Sequence, residues 1–313
     1  MKKLFSSVPR LDAASRFLVS LLMASFLVLA CKTKPAPSLP EPSAFLAFNG
    51  VEANDPELLT LDYTLEIENP LPRAGRLTID SWYAEINGQK AASGFNLADA
   101  ENRGGISSSG YTITAAASAN GEKQLPDSIP LKLNMDMAAL AKADLAPADD
   151  YRVILYLNLN FTFDSSPPVK FRVSGPAQFP GVQPPVFTIT SIAILKAELV
   201  ITRFRVGLRI ENPNPYAVEL SAFGYELYGN GRPWADGMEK NIIKVPAKSF
   251  IEGNLFLTMN FINMKRDLLD QVANLIDVNY RFAGEAQVST GAGYLPKFKT
   301  SFDLSGYSQV LDN

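Results

Sequence analysis

Apolar and polar side chains alternate along much of the chain beyond residue 44. Leu61-Asp-Tyr-Thr-Leu-Glu-Ile67 places Leu61, Tyr63, Leu65 and Ile67 on one face of an extended segment, because successive side chains of a strand point to opposite sides. Phe204-Arg-Val-Gly-Leu-Arg-Ile210 does the same with Phe204, Val206, Leu208 and Ile210, and the run from Tyr151 to Phe163 is longer but of the same kind. Two stretches change period. From Met264 to Ile276, Met264, Leu268, Val272, Leu275 and Ile276 share one helical face behind Asn263 as N-cap, and Met137–Ala143 reads as a shorter helix. Many short strands punctuated by Asn, Gly and Pro turns predict a mainly β protein built as an antiparallel β-sandwich.

The pattern occurs twice. Leu65-Glu-Ile-Glu-Asn-Pro-Leu-Pro72 is matched 143 residues later by Leu208-Arg-Ile-Glu-Asn-Pro-Asn-Pro215. Leu131-Lys-Leu-Asn-Met-Asp-Met137 reads like Leu255-Phe-Leu-Thr-Met-Asn-Phe261, and Lys170-Phe-Arg-Val-Ser-Gly175 loosely like Lys297-Phe-Lys-Thr-Ser-Phe302. Three similar blocks in one order predict a duplicated domain. The stretch from Asn69 to Leu131 is 19 residues longer than that from Asn212 to Leu255, and the excess falls in a Gly/Ser/Ala-rich insertion at 100–121. The expected organisation is a signal peptide at 1–30, a Pro-rich tether at 31–44, sandwiches at 45–175 and 186–306 joined by a Pro/Gly linker at 176–185, and a tail at 307–313.

Each alternating strand ends in Asn-Pro: Asn69-Pro70 in the first copy, Asn212-Pro213-Asn214-Pro215 in the second. Asparagine bonds backbone locally and tolerates turn conformations, and proline cannot donate to a sheet ladder, so both motifs read as strand terminators. An alternating strand ending in Asn-Pro-Asn-Pro and followed by Tyr225-Glu-Leu-Tyr-Gly-Asn-Gly231 resembles the late embryogenesis abundant type-2 domain, also called the WHy domain. Tyr83-Ala-Glu-Ile-Asn-Gly88 is the matching stretch of the first copy, which carries Leu71 in place of the second asparagine. The resemblance implies two tandem immunoglobulin/fibronectin-III-like sandwiches, each with one short helix, and a non-enzymatic role linked to desiccation or other stress.

The N-terminus has another character. Lys2, Lys3, Arg10 and Arg16 precede an uncharged apolar run from Phe17 to Ala30, and the only cysteine, Cys31, follows. A basic region, a short apolar region and a small residue are the parts of a secretory signal, and the run is shorter than the roughly 20 residues of a usual membrane span. Val28-Leu-Ala-Cys31 resembles a bacterial lipobox, with Leu29 where a small residue is usual, which implies lipidation at Cys31. An ordinary signal peptide or an uncleaved anchor is the alternative. The segment Lys32–Ser43 is rich in proline and predicts an extended tether, about 3.1 Å per residue. The expected location is the cell envelope, on an outer membrane facing the periplasm or at the cell surface.

Residues 1–30 hold four basic residues against Asp12 alone, so without them the formal net charge of −3 becomes −6, which argues against nucleic acid as a partner. Histidine is absent, and an acylated Cys31 leaves no free thiol. His-based triads, cysteine nucleophiles and His/Cys metal sites are thereby excluded. The acids Asp144, Asp149 and Asp150 fit no calcium-loop spacing, and Gly104-Gly105 lacks the strand–helix setting of a phosphate loop. No enzyme activity, cofactor or metal is expected. Two functions remain: stress protection of protein clients near the membrane, or an envelope adaptor that binds a specific protein or envelope component. Trp82, Tyr83, Tyr225, Tyr228 and Trp234 are the candidate contact residues, with core packing as the alternative for each.

Overall fold

The alternating segments become long, paired strands because only one of their faces is apolar enough to bury. A computed structural model describes residues 41–70, 75–91, 93–99, 111–115, 127–143, 145–163, 167–197, 201–260 and 277–312. The signal, the tether as far as residue 40 with Cys31, Leu71, most of the insertion, Asp144 and the expected helix at 264–276 lie outside these residues, while Ser43 and Ala44, expected in the tether, are already strand.

The first half of the chain forms β1 (Ser43–Ala53), β2 (Leu58–Glu68), β3 (Gly75–Ile86), β4 (Gln89–Lys90), β5 (Phe95–Asp99), β6 (Tyr111–Ala115), β7 (Asp127–Asp136), helix α1 (Met137–Lys142), β8 (Asp150–Thr162) and β9 (Val169–Pro180). The second forms β10 (Val186–Ala197), β11 (Ile201–Asn212), β12 (Val218–Gly229), β13 (Arg232–Glu239), β14 (Ile243–Val245), β15 (Ser249–Asn260), β16 (Asp277–Ser289) and β17 (Lys297–Asp312). In the first half one sheet runs β1-β2-β7-β5, and the other runs β4-β3-β8-β9 with β6 also on β3. In the second, the hydrogen-bonded order is β13-β12-β16-β17-β10-β11-β15, with β14 on β12. The join between its two layers is a short parallel pairing of Ile192–Ile194 with Val310–Asp312. The residues expected as a tail from 307 are therefore strand as far as Asp312.

Each half has its own core. Leu61, Tyr63, Leu65 and Ile67 of β2 meet Val153, Leu155, Leu157, Leu159 and Phe161 of β8, the inward sets of facing sheets. Phe204, Val206, Leu208 and Ile210 of β11 meet Phe223, Phe282 and Phe302 in the same way. Burying each such side chain contributes about 1.5–3 kcal/mol, which lets these cores stand without disulfides. Helix α1 starts where Asp136 caps it, its carboxylate accepting from the Ala139 N–H at 2.9 Å, and it lays Leu140 on the first core.

The two halves share local devices. Asn87-Gly88 and Asn230-Gly231 both take positive φ at both positions, the two-residue hairpin turn whose twist suits paired strands. Each asparagine also ties its turn to the neighbouring strand: Asn87 accepts from the Arg152 N–H at 2.9 Å, and Asn230 from the Asn279 N–H at 3.3 Å. They differ at the sheet edge. In the first half the chain leaves β4 and crosses to pair β5 with β7, Phe95 opposite Met135 through Asp99 opposite Leu131. In the second, β13 stays hydrogen-bonded to β12.

Tyr63 sits in the first core with its hydroxyl buried and unpartnered among the described residues. A buried hydroxyl without a partner costs about 1–3 kcal/mol, and the ring itself packs against Phe48 at 5.5 Å. Tyr63→Phe should therefore leave the thermal midpoint unchanged or raise it, whereas Tyr63→Ala, which empties the ring's space, should cost about 3–5 kcal/mol in urea unfolding.

Candidate functional site

The motif that ends β11 builds the most elaborate polar structure of the chain. Asn212 and Asn214 have no exposed surface, so every polar atom of their amides must find a protein partner. Asn212 Nδ2 donates to the carbonyls of Tyr216 at 2.7 Å, Pro246 at 3.0 Å and Val245 at 3.3 Å. Its Oδ1 accepts from the N–H of Asn214 at 3.0 Å and from Asn214 Nδ2 at 2.9 Å. Asn214 then reaches back to the entry of its own half: its Oδ1 accepts from the Gln183 N–H at 2.7 Å, and its Nδ2 donates to the Gln183 carbonyl at 2.8 Å. One side-chain amide thus pairs with both main-chain groups of Gln183, as a strand neighbour would.

Gln183 lies in the stretch expected as a linker. That stretch is strand as far as Pro180, with Ala177 and Phe179 in the first core, and Val182 already belongs to the second. The short connection is held at several points. Gly181 donates its N–H to the Asp149 carbonyl at 2.7 Å, and its carbonyl accepts from Tyr216 Oη at 2.8 Å. A Cβ at 181 would lie 2.0 Å from the Ala148 carbonyl oxygen, so only glycine fits. Tyr294 Oη donates to the Pro180 carbonyl at 2.8 Å, and its ring meets Phe179 edge-on at 5.8 Å while also packing on the second core. Lys248 Nζ donates to the Pro213 carbonyl at 2.6 Å and pairs with the Asp149 carboxylate, joining residues of the two halves. Burial pushes the Tyr216 phenol up to about 12 and raises Tyr294 further, with the nearby Tyr216 and Tyr151 adding to the latter.

In the second half the Asn-Pro motif ends β11, and Asn212 bonds the chain on both sides of the turn that follows. Asn69 is buried like its counterpart Asn212, Pro70 and Pro213 are half-buried, and Pro215 is exposed. Gln183, Tyr216, Lys248 and Tyr294 were not singled out by the sequence. Tyr216 follows the motif directly, and that adjacency was the available signal. Asp149, grouped in the sequence with Asp144 and Asp150, is committed to Lys248. Among the described residues no three acidic or other ligating side chains converge on a metal-sized site.

The candidate contact residues divide. Trp234 is 4% exposed and stacks on Phe204 at 5.3 Å, in a space that exists because Gly229 has no side chain. Tyr225 is buried between Phe223 and Phe282. Both are core side chains, which corrects the expectation that they are surface anchors. Trp82 is half-buried against the first core, because a bulge between Ile79 and Ser81 turns it inward. Tyr83 and Tyr228 face outward. Tyr83 stacks on Tyr156 at 4.6 Å with the Lys90 ammonium 4.4 Å from its ring centre, so both its faces are occupied. Tyr228 donates to the Glu226 carboxylate at 2.7 Å.

A cavity of about 460 Å³ opens beside α1, lined by Leu58, Thr60, Asn96, Asn134, Asp136 and Ala139. Thr60 donates to Asn134 at 2.9 Å and Asp136 caps the helix, so these polar groups of the lining are engaged within the protein. Among the described residues no helix is long and apolar enough to cross a membrane.

Two outcomes follow from the junction. Asn212→Ala strands the Asn214 amide and several buried carbonyls and should cost about 3 kcal/mol in urea unfolding, against less than about 0.5 kcal/mol for the exposed Pro215→Ala. The phenols of Tyr216 and Tyr294 ionise less readily folded than unfolded. Their contribution to stability is complete below the unfolded value near 10 and is lost as pH rises from there through about 12. The thermal midpoint should therefore fall between pH 10 and 12, and less steeply in Tyr216→Phe.

Residues 207–300, the span that contains this motif, match the family model described as Late embryogenesis abundant protein. No curated protein matches the chain. Among solved structures, a protein from Archaeoglobus fulgidus is 15% identical over 42% of this chain and 98% of its own, with a TM-score of 0.27. The periplasmic chaperone SfaE is 11% identical over 86% and 100%, at 0.23. A Bacteroides uniformis β-glucuronidase is 11% identical over 79% of this chain but only 26% of that enzyme, at 0.20. At these scores none of the three bears on function.

Proposed function

We propose that the protein is a non-catalytic lipoprotein of the cell envelope, anchored through lipid on Cys31, in which two late embryogenesis abundant type-2 sandwiches protect neighbouring macromolecules when water is withdrawn. The observation that carries this reading is the family match over residues 207–300. The second copy at 45–175 rests on the repeated Asn-Pro strand and the shared Asn-Gly hairpin. The lipid anchor rests on Val28-Leu-Ala-Cys31 behind a basic, apolar leader. The Pro-rich segment after Cys31 holds the folded part off the bilayer, and two or three acyl chains are enough for stable anchoring.

Protection of this kind uses surface rather than a reaction centre. An acidic protein with well-packed cores stays folded as water activity falls, and keeps charged surface between partners that would otherwise collapse onto one another.

The test has two parts. Radiolabelled palmitate should enter the protein in a bacterial host and be lost in Cys31→Ser. A desiccation-sensitive enzyme dried with the purified protein should keep several-fold more activity than with an equal mass of an inert acidic protein. Equal recovery with both additives would overturn the protective reading, and labelling that survives Cys31→Ser would overturn the anchor.

A further inference from the structure

We infer that the outer edge of β15 is an interface through which two copies of this chain pair, strand against strand. β15 closes one end of the sheet order and pairs with β11 in unbroken register from Ser249 opposite Asn212 to Asn260 opposite Ile201. Among the described residues no strand bonds its other edge. The equivalent strand of the first half, β7, has that edge covered by β5. Sheet edges are normally guarded by a proline, a lysine or a bulge, because a flat edge offers a ready template for another strand. Ser249-Phe-Ile-Glu-Gly-Asn-Leu-Phe-Leu-Thr-Met-Asn260 holds neither residue, and its pairing with β11 shows no bulge.

The outward face of β15 fits a second copy of itself. Phe250 is 46% and Phe256 67% exposed. An antiparallel pairing about a two-fold axis at Gly253 sets Phe256 of one copy opposite Phe250 of the other, twice, and Glu252 opposite Asn254. The charges on and beside the strand agree with this arrangement. Arg205 lies beside Phe256, and its Nε is buried without a partner among the described residues. Glu211, which pairs with Arg209 at 3.8 Å, lies beside Phe250, and Glu252 lies opposite Arg209. The two-fold axis turns the Arg205 end of each copy toward the end of the other where the two carboxylates Glu211 and Glu252 outnumber Arg209. The Arg209 guanidinium already stacks on Phe250 at 3.6 Å and steadies that ring for contact. Anchoring both copies in one membrane raises their local concentration, so a short interface suffices.

A thiol at the axis tests the pairing in the native setting. Gly253 has open space where a Cβ would go, so Gly253→Cys is compatible with the fold. With Cys31 acylated, the introduced thiol is the only free one. Oxidation of intact envelopes bearing Gly253→Cys should give a disulfide-linked homodimer on a non-reducing gel, at least tenfold more than the exposed, remote control Gln287→Cys. Adding Phe256→Lys, which sets a cation beside Arg205 and removes the aromatic pair, should abolish the excess. Equal crosslinking from both positions, a monomer from Gly253→Cys, or a mixed disulfide with a different protein would each overturn the proposal. Circular dichroism and the thermal midpoint of each variant separate loss of pairing from loss of fold.

Discussion

A buried side-chain amide must be fully satisfied or it unfolds the region around it, and the centre of this protein is organised by two of them. Asn212 closes the turn after β11 by holding the chain on both sides of it, at Tyr216 and at Val245–Pro246. It orients Asn214, and Asn214 completes its own bonding only by taking the peptide of Gln183. The strand terminator of one half therefore positions the entry to that half. Pro180, Gly181 and Gln183 are each bonded to residues distant in sequence, and what composition alone describes as a linker is a set of held backbone positions.

The cores explain why so few side chains remain for recognition. Period-two alternation on strands of 10 to 13 residues sends half of each strand inward. The large aromatics Phe161, Phe204, Phe223 and Phe282 are consumed there, along with Trp234 and Tyr225. The outward halves are mostly Thr, Asn, Arg and Glu, and the described ion pairs among them are exposed pairs such as Arg281–Asp303 at 2.7 Å and Lys244–Glu219 at 2.8 Å. Exposed pairs of this kind add little stability but keep the surface charged.

The strands, the inward sets of β2 and β11 and the short helix after β7 were legible in the sequence because period and cap residues act locally. The Asn-Pro motif was legible as a turn, but its partners were not. Gln183 is 31 residues from Asn214 and Asp149 is 99 from Lys248, and nothing local marks either for the other. Trp234 stood in the sequence as either a contact or a core residue for a related reason. Nothing local decides between the two, and only the three-dimensional position of Gly229 beneath its ring shows that it turns inward. The continuation of strand through Pro180 was hidden because proline and glycine signal turns locally, whereas β8 pairs with that segment out to Asp150 opposite Pro180.

The central claim is that the amide of Asn214, by holding Gln183 beside the turn after β11, keeps the short connection in the position from which Gly181, Tyr216, Tyr294 and Lys248 bond across the two halves. Scanning calorimetry of the purified protein and of Asn214→Leu, which places in the second half the residue type found at 71 in the first, addresses it most directly. The account expects one cooperative transition in the unaltered chain, with equal calorimetric and van't Hoff enthalpies, and two resolved transitions in the variant. Two separate transitions in the unaltered chain, or a single transition that survives Asn214→Leu unchanged, would contradict it.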